Sequence, residues 1–158
     1  ESMKKLKQLK LDEAIQEANL NNVKLLGICL GMQFFFEKSY EFGEHNGLGL
    51  IHGEVCRLTS NSEKNKILPN IGWHKLEEEN LSLKKSMISR EILLKNHYYF
   101  VHSFAVTSLN NNLSYTTSNY YDKKFISFFN YKNITGCQFH PEKSGASGLN
   151  LLKHWIEI

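Results

Sequence analysis

Apolar residues in the first twenty positions recur with the period of an α-helix. They are spaced near 3.6 residues with lysines on the opposite face, at Leu6, Leu9, Ala14, Ile15 and Ala18. The spacing predicts a helix over 2–20, ended at Asn21-Asn22.

A buried strand and a second helical stretch are predicted next. Residues 23–28 form a short apolar run that suits a buried parallel strand. Gly31 then opens an apolar stretch, from Met32 to about Tyr40, that we predict to be helical. Helix, buried strand, tight turn and helix follow one another in this order in doubly wound α/β sheets.

The second half of the chain changes to strand-like patterns. Strands separated by Asn- and Lys-rich turns are predicted at 54–58, 98–106, 113–118, 125–131 and 134–139. The polar segment 77–97 predicts a loop or short helix. A final amphipathic helix is predicted over 147–158, and its inward face would carry Leu149, Leu152, Trp155 and Ile156. The fold class predicted is α/β, with a doubly wound, mostly parallel sheet and an antiparallel β extension.

Composition limits the domain number, the partners and the cellular compartment that we expect for the protein. The 158 residues, 41% of them hydrophobic, suit one domain with its own core. The net charge is +3, with only two arginines among scattered lysines, which disfavours a nucleic-acid partner. No apolar run reaches the roughly 18 residues that span a bilayer. Three cysteines without a CxxC pair suit a reducing compartment. We therefore expect a cytoplasmic protein without a membrane partner.

The segment Gly27-Ile28-Cys29-Leu30-Gly31 has the pattern of a nucleophile elbow. A strained turn between strand and helix would lift the Cys29 side chain clear of the sheet, and the flanking glycines would let both elements crowd around it. The start of the helix favours a thiolate, and the Leu30 N–H would meet an oxyanion. From this segment alone, a tight turn around a buried, unreactive cysteine stays an alternative.

The segment around His140 supplies the partners that a catalytic cysteine needs. His140 and Glu142 point to the same side of an extended backbone, and Pro141 between them ends the strand. A His-x-Glu pair by itself is often a surface ion pair. Together with an elbow cysteine, it predicts a Cys29–His140–Glu142 triad at the carboxyl edge of the sheet.

A zinc site is the alternative use of these residue types. Cys137 and His140 have a C-x2-H spacing, and His97, His102 or Cys29 could complete a site. A second short-spaced pair, which structural zinc sites usually show, is missing from the sequence. We therefore expect no metal, and we predict Cys137 to be a small buried residue of the strand.

The segments 27–33 (GICLGMQ) and 138–144 (QFHPEKS) resemble the signatures of class I (triad) glutamine amidotransferases. Three further pieces, 69–73 (PNIGW), 99–104 (YFVHSF) and 142–144 (EKS), resemble the glutaminase subunits of imidazole glycerol phosphate synthases. The resemblance runs from about residue 1 to the end of the chain. It implies a flavodoxin-like doubly wound fold and a reaction that uses neither metal nor organic cofactor.

The resemblance also implies roles for individual residues. Cys29 would be the nucleophile, His140 the acid and base, Glu142 its orienting partner and Leu30 the oxyanion donor. The substrate L-glutamine would be bound by Gln33, by Gly31, by Glu41 in preference to Glu37, and by backbone groups at His102, Ser103 and Phe104. Trp73 and Lys143 would face a partner subunit.

The resemblance implies a reaction and a partner. Glutamine would be hydrolysed to glutamate, and ammonia would pass to a TIM-barrel cyclase subunit, in a heterodimer of histidine biosynthesis. Two alternatives stay open. One is a paralogous amidotransferase subunit that feeds another acceptor, such as an amidino-sugar of a surface polysaccharide. The other is a non-catalytic interaction subunit with an unused site.

The sequence departs from the family at two places. His74 stands where family members more often have Asn. The chain also opens on Glu1, so that 1–158 would be a single amidotransferase domain lacking its N-terminal βαβ portion and the upstream loop with a second oxyanion N–H. We expect such a piece by itself to be poorly stable and essentially inactive, because losing one oxyanion donor typically costs about 10²–10³ in rate.

Overall fold

A computed structural model describes residues 2–58, 68–80, 88–109 and 113–157. Within these ranges the chain has a mixed α/β fold, which confirms the α/β part of the prediction. The helices are α1 (Ser2–Gln8), α2 (Leu11–Leu20), α3 (Leu30–Phe34), α4 (Arg90–Leu94) and α5 (Gly145–Glu157), with a 3-10 turn at Pro141–Lys143. None of the helices in these ranges has the length and apolar character needed to cross a bilayer.

The strands form three sheets. In chain order they are β1 (Leu25–Ile28), β2 (Phe36–Ser39), β3 (His45–Asn46), β4 (Ile51–Arg57), β5 (Asn70–Lys75), β6 (Glu77–Asn80), β7 (His97–His102), β8 (Phe104–Val106), β9 (Ser114–Tyr120), β10 (Lys123–Tyr131) and β11 (Ile134–Cys137). The sheet orders are β1-β11-β10-β9-β6, β3-β2-β4-β8 and β5-β7.

Parallel pairing is limited to two of the described ladders. β1 pairs with β11, and β2 with β4, in parallel, whereas the other described pairs are antiparallel. Short turns explain much of this. β9, β10 and β11 are joined by two-residue connections in which Tyr121 and Lys132 have positive φ, and such tight connections can join only antiparallel neighbours. The described ladders are thus more antiparallel than the predicted mostly parallel sheet.

Most predicted strands are present, and two helix predictions need correction. Strands β4, β7 with β8, β9, β10 and β11 cover the five predicted segments, while β2, β3, β5 and β6 were not predicted. The helix predicted over 2–20 is broken at Lys10, which has the left-handed φ of 55°. The helix predicted from Met32 to Tyr40 ends at Phe34, because the fully buried Phe36 continues as a strand against Ile51 of β4.

Helix α5 has a different inward face from the one predicted. Leu151 is fully buried, whereas Leu149 and Ile156 are exposed, so their predicted burial is wrong; Leu152 and Trp155 are partly buried. The close approach of Gly148 to the 3-10 turn explains why a different face of α5 points inward. A Cβ on Gly148 would lie 1.9 Å from the carbonyl oxygen of Pro141, so this glycine must face the turn.

Strand β10 lies between two hydrophobic clusters. Phe125 and Phe128 belong to the cluster that also holds Phe139, Phe100 and Leu151, while Ile126 and Phe129 belong to the cluster around Met32 and Phe36. A β-bulge between Ile126 and Phe128 shifts the register with β9. The carbonyl of Ser127, at this bulge, accepts the N–H of Gln138 (2.9 Å).

The turn between β1 and α3 is as tight as the elbow pattern predicts. Cys29 has φ 49° and ψ −106°, a strained conformation for a residue with a side chain. A Cβ on Gly27 would lie 2.5–2.7 Å from the Phe35 ring, the Met32 nitrogen and the Gly31 carbon. At Gly31 a Cβ would meet nothing within 4 Å. The crowding prediction is therefore confirmed for Gly27 and wrong for Gly31.

These two glycines make a matched test of the turn. Gly27→Ala should lower the free energy of unfolding by about 2–3 kcal/mol, because two of the atoms it would strike belong to the backbone. Gly31→Ala should change it by less than about 1 kcal/mol, since Ala is the better helix former. Urea unfolding followed by circular dichroism measures both. Equal losses for the two variants would contradict this account of the turn.

Candidate active site

Cys29 lies directly after β1, beside the end of β11. The two strands are in parallel register with Ile28 opposite Cys137, and the Cys29 N–H extends the ladder to the Cys137 carbonyl (2.7 Å). Its sulfur is partly buried. The Gln138 Nε2 donates to it at 3.6 Å, and the thiol faces the Val101 carbonyl at 3.9 Å. The nucleophile candidate is therefore fixed by its own backbone and contacted by groups of two other segments.

The surroundings of the sulfur favour the neutral thiol. Burial is the largest effect and raises the pKa of Cys29, and the carboxylates of Glu142 and Glu41 also raise it. Hydrogen bonds from the Leu30 N–H and the Gln138 amide lower that pKa, but less than burial raises it. The expectation that the helix start holds a resting thiolate is thus not supported, since α3 has only five residues. A base must remove the proton.

His140 is arranged as such a base. Its Nδ1 lies 2.6 Å from the Glu142 Oε1. Because a carboxylate can only accept, Nδ1 carries the hydrogen and Nε2 is left able to take a proton. The His140 side chain is mostly buried, whereas Glu142 is exposed. The structure therefore brings together the predicted histidine and glutamate with the tautomer that proton transfer requires.

Strand β7 and a serine hold the backbone of His140. The His140 N–H donates to the Tyr99 carbonyl (2.8 Å), and the Tyr99 N–H donates to the Ser144 hydroxyl (2.9 Å). That hydroxyl donates to the His140 carbonyl (2.6 Å). The buried Ser144 thus closes a ring of hydrogen bonds between the strand and the turn that carries Glu142.

A cleft of about 510 Å³ adjoins the elbow. Leu30, Gln33 and Glu41 line it, together with residues of α1 and of the segment 42–47. Glu37 instead bonds His52 (2.9 Å) and the Gly53 N–H (3.3 Å). Of the two carboxylates weighed from the sequence, Glu41 is thus the one that faces a cavity able to hold a small molecule.

Two of the remaining predicted substrate residues, Gln33 and His102, meet at the carbonyl of Phe104. Its oxygen accepts from the Gln33 Nε2 (2.9 Å) and from the His102 Nδ1 (3.0 Å). The Ser103 carbonyl accepts the N–H of Leu58 (2.9 Å). Gly31 is partly buried in α3, with open space where a Cβ would be. Among the described residues, Gln33 is the one that joins this cluster to the cleft.

His102 belongs to a buried polar chain that runs to β5. Since the Phe104 carbonyl takes the Nδ1 hydrogen, Nε2 must accept, and it does so from the Asn70 amide (3.0 Å). The Asn70 oxygen in turn accepts from the His74 Nε2 (2.9 Å). A proton on His102 Nε2 would oppose the Asn70 donor. Burial lowers the pKa of His102 to about 4, and it also lowers the pKa of His74.

Trp73 and Lys143 are both exposed beside residues that hold the backbone of His140. Trp73, 53% exposed on β5, packs edge-on against the Tyr99 ring at 5.9 Å between centroids. Lys143 ends the 3-10 turn that contains Glu142. Trp73 contacts Tyr99, whose carbonyl accepts the N–H of His140. Lys143 belongs to the turn that begins directly after His140.

Sequence reasoning missed the roles of three residues in this region. Gln138 contacts the sulfur, Ser144 fixes the His140 turn, and Asn70 links two histidines. Each lies within a segment quoted for the resemblance, and this shared position is the signal that could have found them. Within the described ranges, no group of three His, Cys, Asp or Glu side chains is placed to hold a metal, and Cys137 is fully buried as predicted.

The neutral His102 should make stability depend on pH. Its folded pKa of about 4 lies below the ordinary 6.5, so the unfolded chain binds one more proton between these values. Stability is unaffected by His102 above pH 6.5 and falls by roughly 3 kcal/mol as the pH drops to 4. In urea titrations across this range, the free energy of unfolding of His102→Gln should depend on pH less steeply than that of the parent, by about one proton. A slope equal to that of the parent would contradict this assignment.

Comparisons with known proteins agree with this geometry. The family described as "Glutamine amidotransferase class-I" matches residues 7–157. The imidazole glycerol phosphate synthase subunit HisH of Lactococcus lactis subsp. lactis is 41% identical over 157 residues, which cover 99% of this chain and 73% of that protein. The subunit of the same name from Oceanobacillus iheyensis is 39% identical over 159 residues, covering 100% of this chain and 74% of that protein.

Solved structures extend the similarity to the fold. A crystal structure of a glutamine amidotransferase matches with a TM-score of 0.65 at 16% identity, covering 96% of this chain and 69% of that one. A glutamine amidotransferase from Thermotoga maritima matches with a TM-score of 0.58 at 24% identity, covering 98% of this chain and 54% of that one. The family match spans nearly all of the sequence and includes both segments of the site. The chain belongs to the class-I glutamine amidotransferase family.

Proposed function

We propose that this protein is the glutaminase subunit of an imidazole glycerol phosphate synthase. The observation that carries the proposal is the strained Cys29 turn beside β11, with a carboxylate-bound His140 on the segment that follows this strand. The relatives named HisH, about 40% identical over the whole chain, support the choice of synthase. The proposed substrate is L-glutamine, and the products are glutamate and ammonia.

The reaction begins with a proton transfer. His140 Nε2 takes the thiol proton of Cys29, and Glu142 stabilises the imidazolium through Nδ1. The thiolate attacks the side-chain amide carbon of glutamine, and the Leu30 N–H would donate to the new oxyanion. His140 then protonates the departing nitrogen, which leaves as ammonia. The glutamyl group stays on Cys29 as a thioester.

Hydrolysis returns the site to its starting state. His140 takes a proton from water, and the resulting hydroxide attacks the thioester carbon. The tetrahedral intermediate collapses, the sulfur leaves and regains its proton from His140, and glutamate is released. All the groups that move protons in this scheme belong to Cys29, His140 and the bound molecules.

The cleft beside the elbow is the proposed glutamine site. Its volume of about 510 Å³ is ample for one amino acid, and Glu41 supplies a carboxylate for the α-amino group. Gln33 would contact the substrate from the cleft wall, and Gly31 would leave room for it. Backbone groups at 102–104 would bind the α-carboxylate, and the bond from Gln33 to Phe104 supports their position next to this wall.

The proposed partner is a TIM-barrel synthase subunit that uses the ammonia. Trp73 and Lys143 would contact it, since both are exposed beside the His140 turn. We propose that the whole chain belongs to one amidotransferase domain of the doubly wound, flavodoxin-like kind, of which β1 and β11 are a parallel pair of strands. Three free cysteines support a reducing, cytoplasmic setting.

The proposal predicts that glutamine use depends on Cys29. In the assembled synthase, Cys29→Ser should lower the glutamine-dependent rate by at least about 10³-fold. The serine hydroxyl is a weaker nucleophile than the cysteine sulfur, and the proposed mechanism contains no other nucleophile to take its place. The rate with ammonium salt in place of glutamine should be unchanged. Cys56→Ser, on β4, is the control and should keep both rates. A Cys29→Ser synthase that still used glutamine would show that this chain is a non-catalytic interaction subunit.

The partner surface predicts a separate effect on assembly. Trp73→Ala should weaken binding of the synthase subunit by about tenfold or more, because a large aromatic side chain at an interface often contributes most of the affinity. Lys143→Ala should weaken binding less, with an effect that shrinks at high salt. Calorimetric titration gives both affinities. Leu149→Ala, an equally exposed apolar residue on α5, is the control, and affinities equal to the parent for Trp73→Ala and Lys143→Ala would refute this surface.

A further inference from the structure

We propose that Gln138 is a further catalytic group of this site, whose side-chain N–H holds the sulfur of Cys29 as it becomes a thiolate. Gln33 is the positioning residue that sets the direction of this N–H. The inference rests on the proposed function, because it takes Cys29 as the nucleophile. It adds a role for the two glutamines that the triad itself does not require.

The direction of the Gln138 amide follows from one backbone acceptor. The Phe104 carbonyl can only accept, so the group of Gln33 that lies 2.9 Å from it must be the amide nitrogen. The second hydrogen of that nitrogen points at Gln138, 3.1 Å away, which must therefore present its oxygen. The Gln138 nitrogen is left facing the sulfur at 3.6 Å. Exchanging oxygen and nitrogen in Gln33 would place its oxygen against the Phe104 carbonyl oxygen. The same exchange in Gln138 would place its nitrogen against the Gln33 nitrogen.

Burial makes this arrangement rigid. Gln138 is fully buried and Gln33 is 6% exposed, so water cannot replace a lost partner. The Gln138 backbone is held by the carbonyl of Ser127 at the bulge of β10, and the preceding residue, Cys137, holds the Cys29 N–H. Sulfur and amide are thus anchored on neighbouring strands, and neither can move away from the other without breaking the ladder.

The thiolate needs this donor more than the thiol does. A charged acceptor strengthens a hydrogen bond, and the neutral thiol keeps the Val101 carbonyl as a second partner that the thiolate would repel. The backbone N–H of Leu30, the proposed oxyanion donor, is required by the oxyanion once attack begins. Gln138 is then the side-chain donor, among the described residues, that stays on the sulfur through both charge states.

Two variants separate the hydrogen bond from packing. Gln138→Leu removes the donor. Gln138→Glu keeps the shape and can still accept from Gln33, but it turns a carboxylate toward the sulfur. We expect the rate of Cys29 alkylation by iodoacetamide at pH 7, measured on the full chain with Cys56→Ser, to fall about ten- to hundredfold in Gln138→Leu. The fall should be at least as large in Gln138→Glu, and both rates should recover at high pH.

Activity and a control variant complete the test. In the assembled synthase both substitutions should lower kcat for glutamine hydrolysis by a similar factor with little change in KM, and the ammonia-dependent rate should stay. Asn130→Leu removes another buried amide, on β10, and should leave the alkylation profile unchanged. If folded Gln138→Glu kept the parent's alkylation pH profile, the inference would be overturned even with Cys29 essential. Retention of glutamine use by Cys29→Ser would instead overturn the proposed function.

Discussion

The parallel pairing of β1 with β11 is the constraint on which the site depends. This ladder sets Ile28 opposite Cys137 and ends in the bond from the Cys29 N–H to the Cys137 carbonyl, so the nucleophile and the segment leading to His140 leave the sheet at the same edge. A shift of one residue in this register would move Cys29 away from the end of β11 and separate the two groups. The strain at Cys29, of order 1–3 kcal/mol, persists because this ladder and the close packing at Gly27 over-determine the turn.

Strand β7 is the second support of the site. Its Val101 carbonyl faces the Cys29 sulfur, and its Tyr99 bonds the backbone of His140 directly and through Ser144. Strand β7 pairs with β5, which carries Trp73 at an exposed position. A displacement of the β5–β7 pair would therefore act on the nucleophile and on its base at once. The backbone of the β5–β7 pair thus connects the proposed partner surface with the groups that position Cys29 and His140.

The sequence was sufficient for the elements with strong local signals. The positions of glycine and proline predict the elbow at Cys29 and the turn after β11. The alternating pattern of the second half predicts its strands close to their observed bounds. The short apolar run after Met32 was misread as helix, because periodicity cannot tell a buried strand from a buried helix over so few residues. The inward face of α5 depends on the contact of Gly148 with Pro141, a tertiary constraint that no local pattern contains.

The buried polar side chains of the site were the part least predictable from the sequence. They are also the groups that surround the Cys29 sulfur and affect its pKa. Gln33 was predicted as a substrate contact, yet its nitrogen is fully used by Phe104 and Gln138, so only its oxygen is left to meet a ligand. Burial raises the pKa of the Cys29 thiol, so in the proposed reaction the sulfur keeps its proton until His140 takes it. The same burial makes the thiolate costly, so a fixed N–H donor beside the sulfur is worth more here than it would be at an exposed cysteine. A buried nucleophile therefore requires an oriented amide network around it, and Phe104, by fixing Gln33, determines how that network is directed.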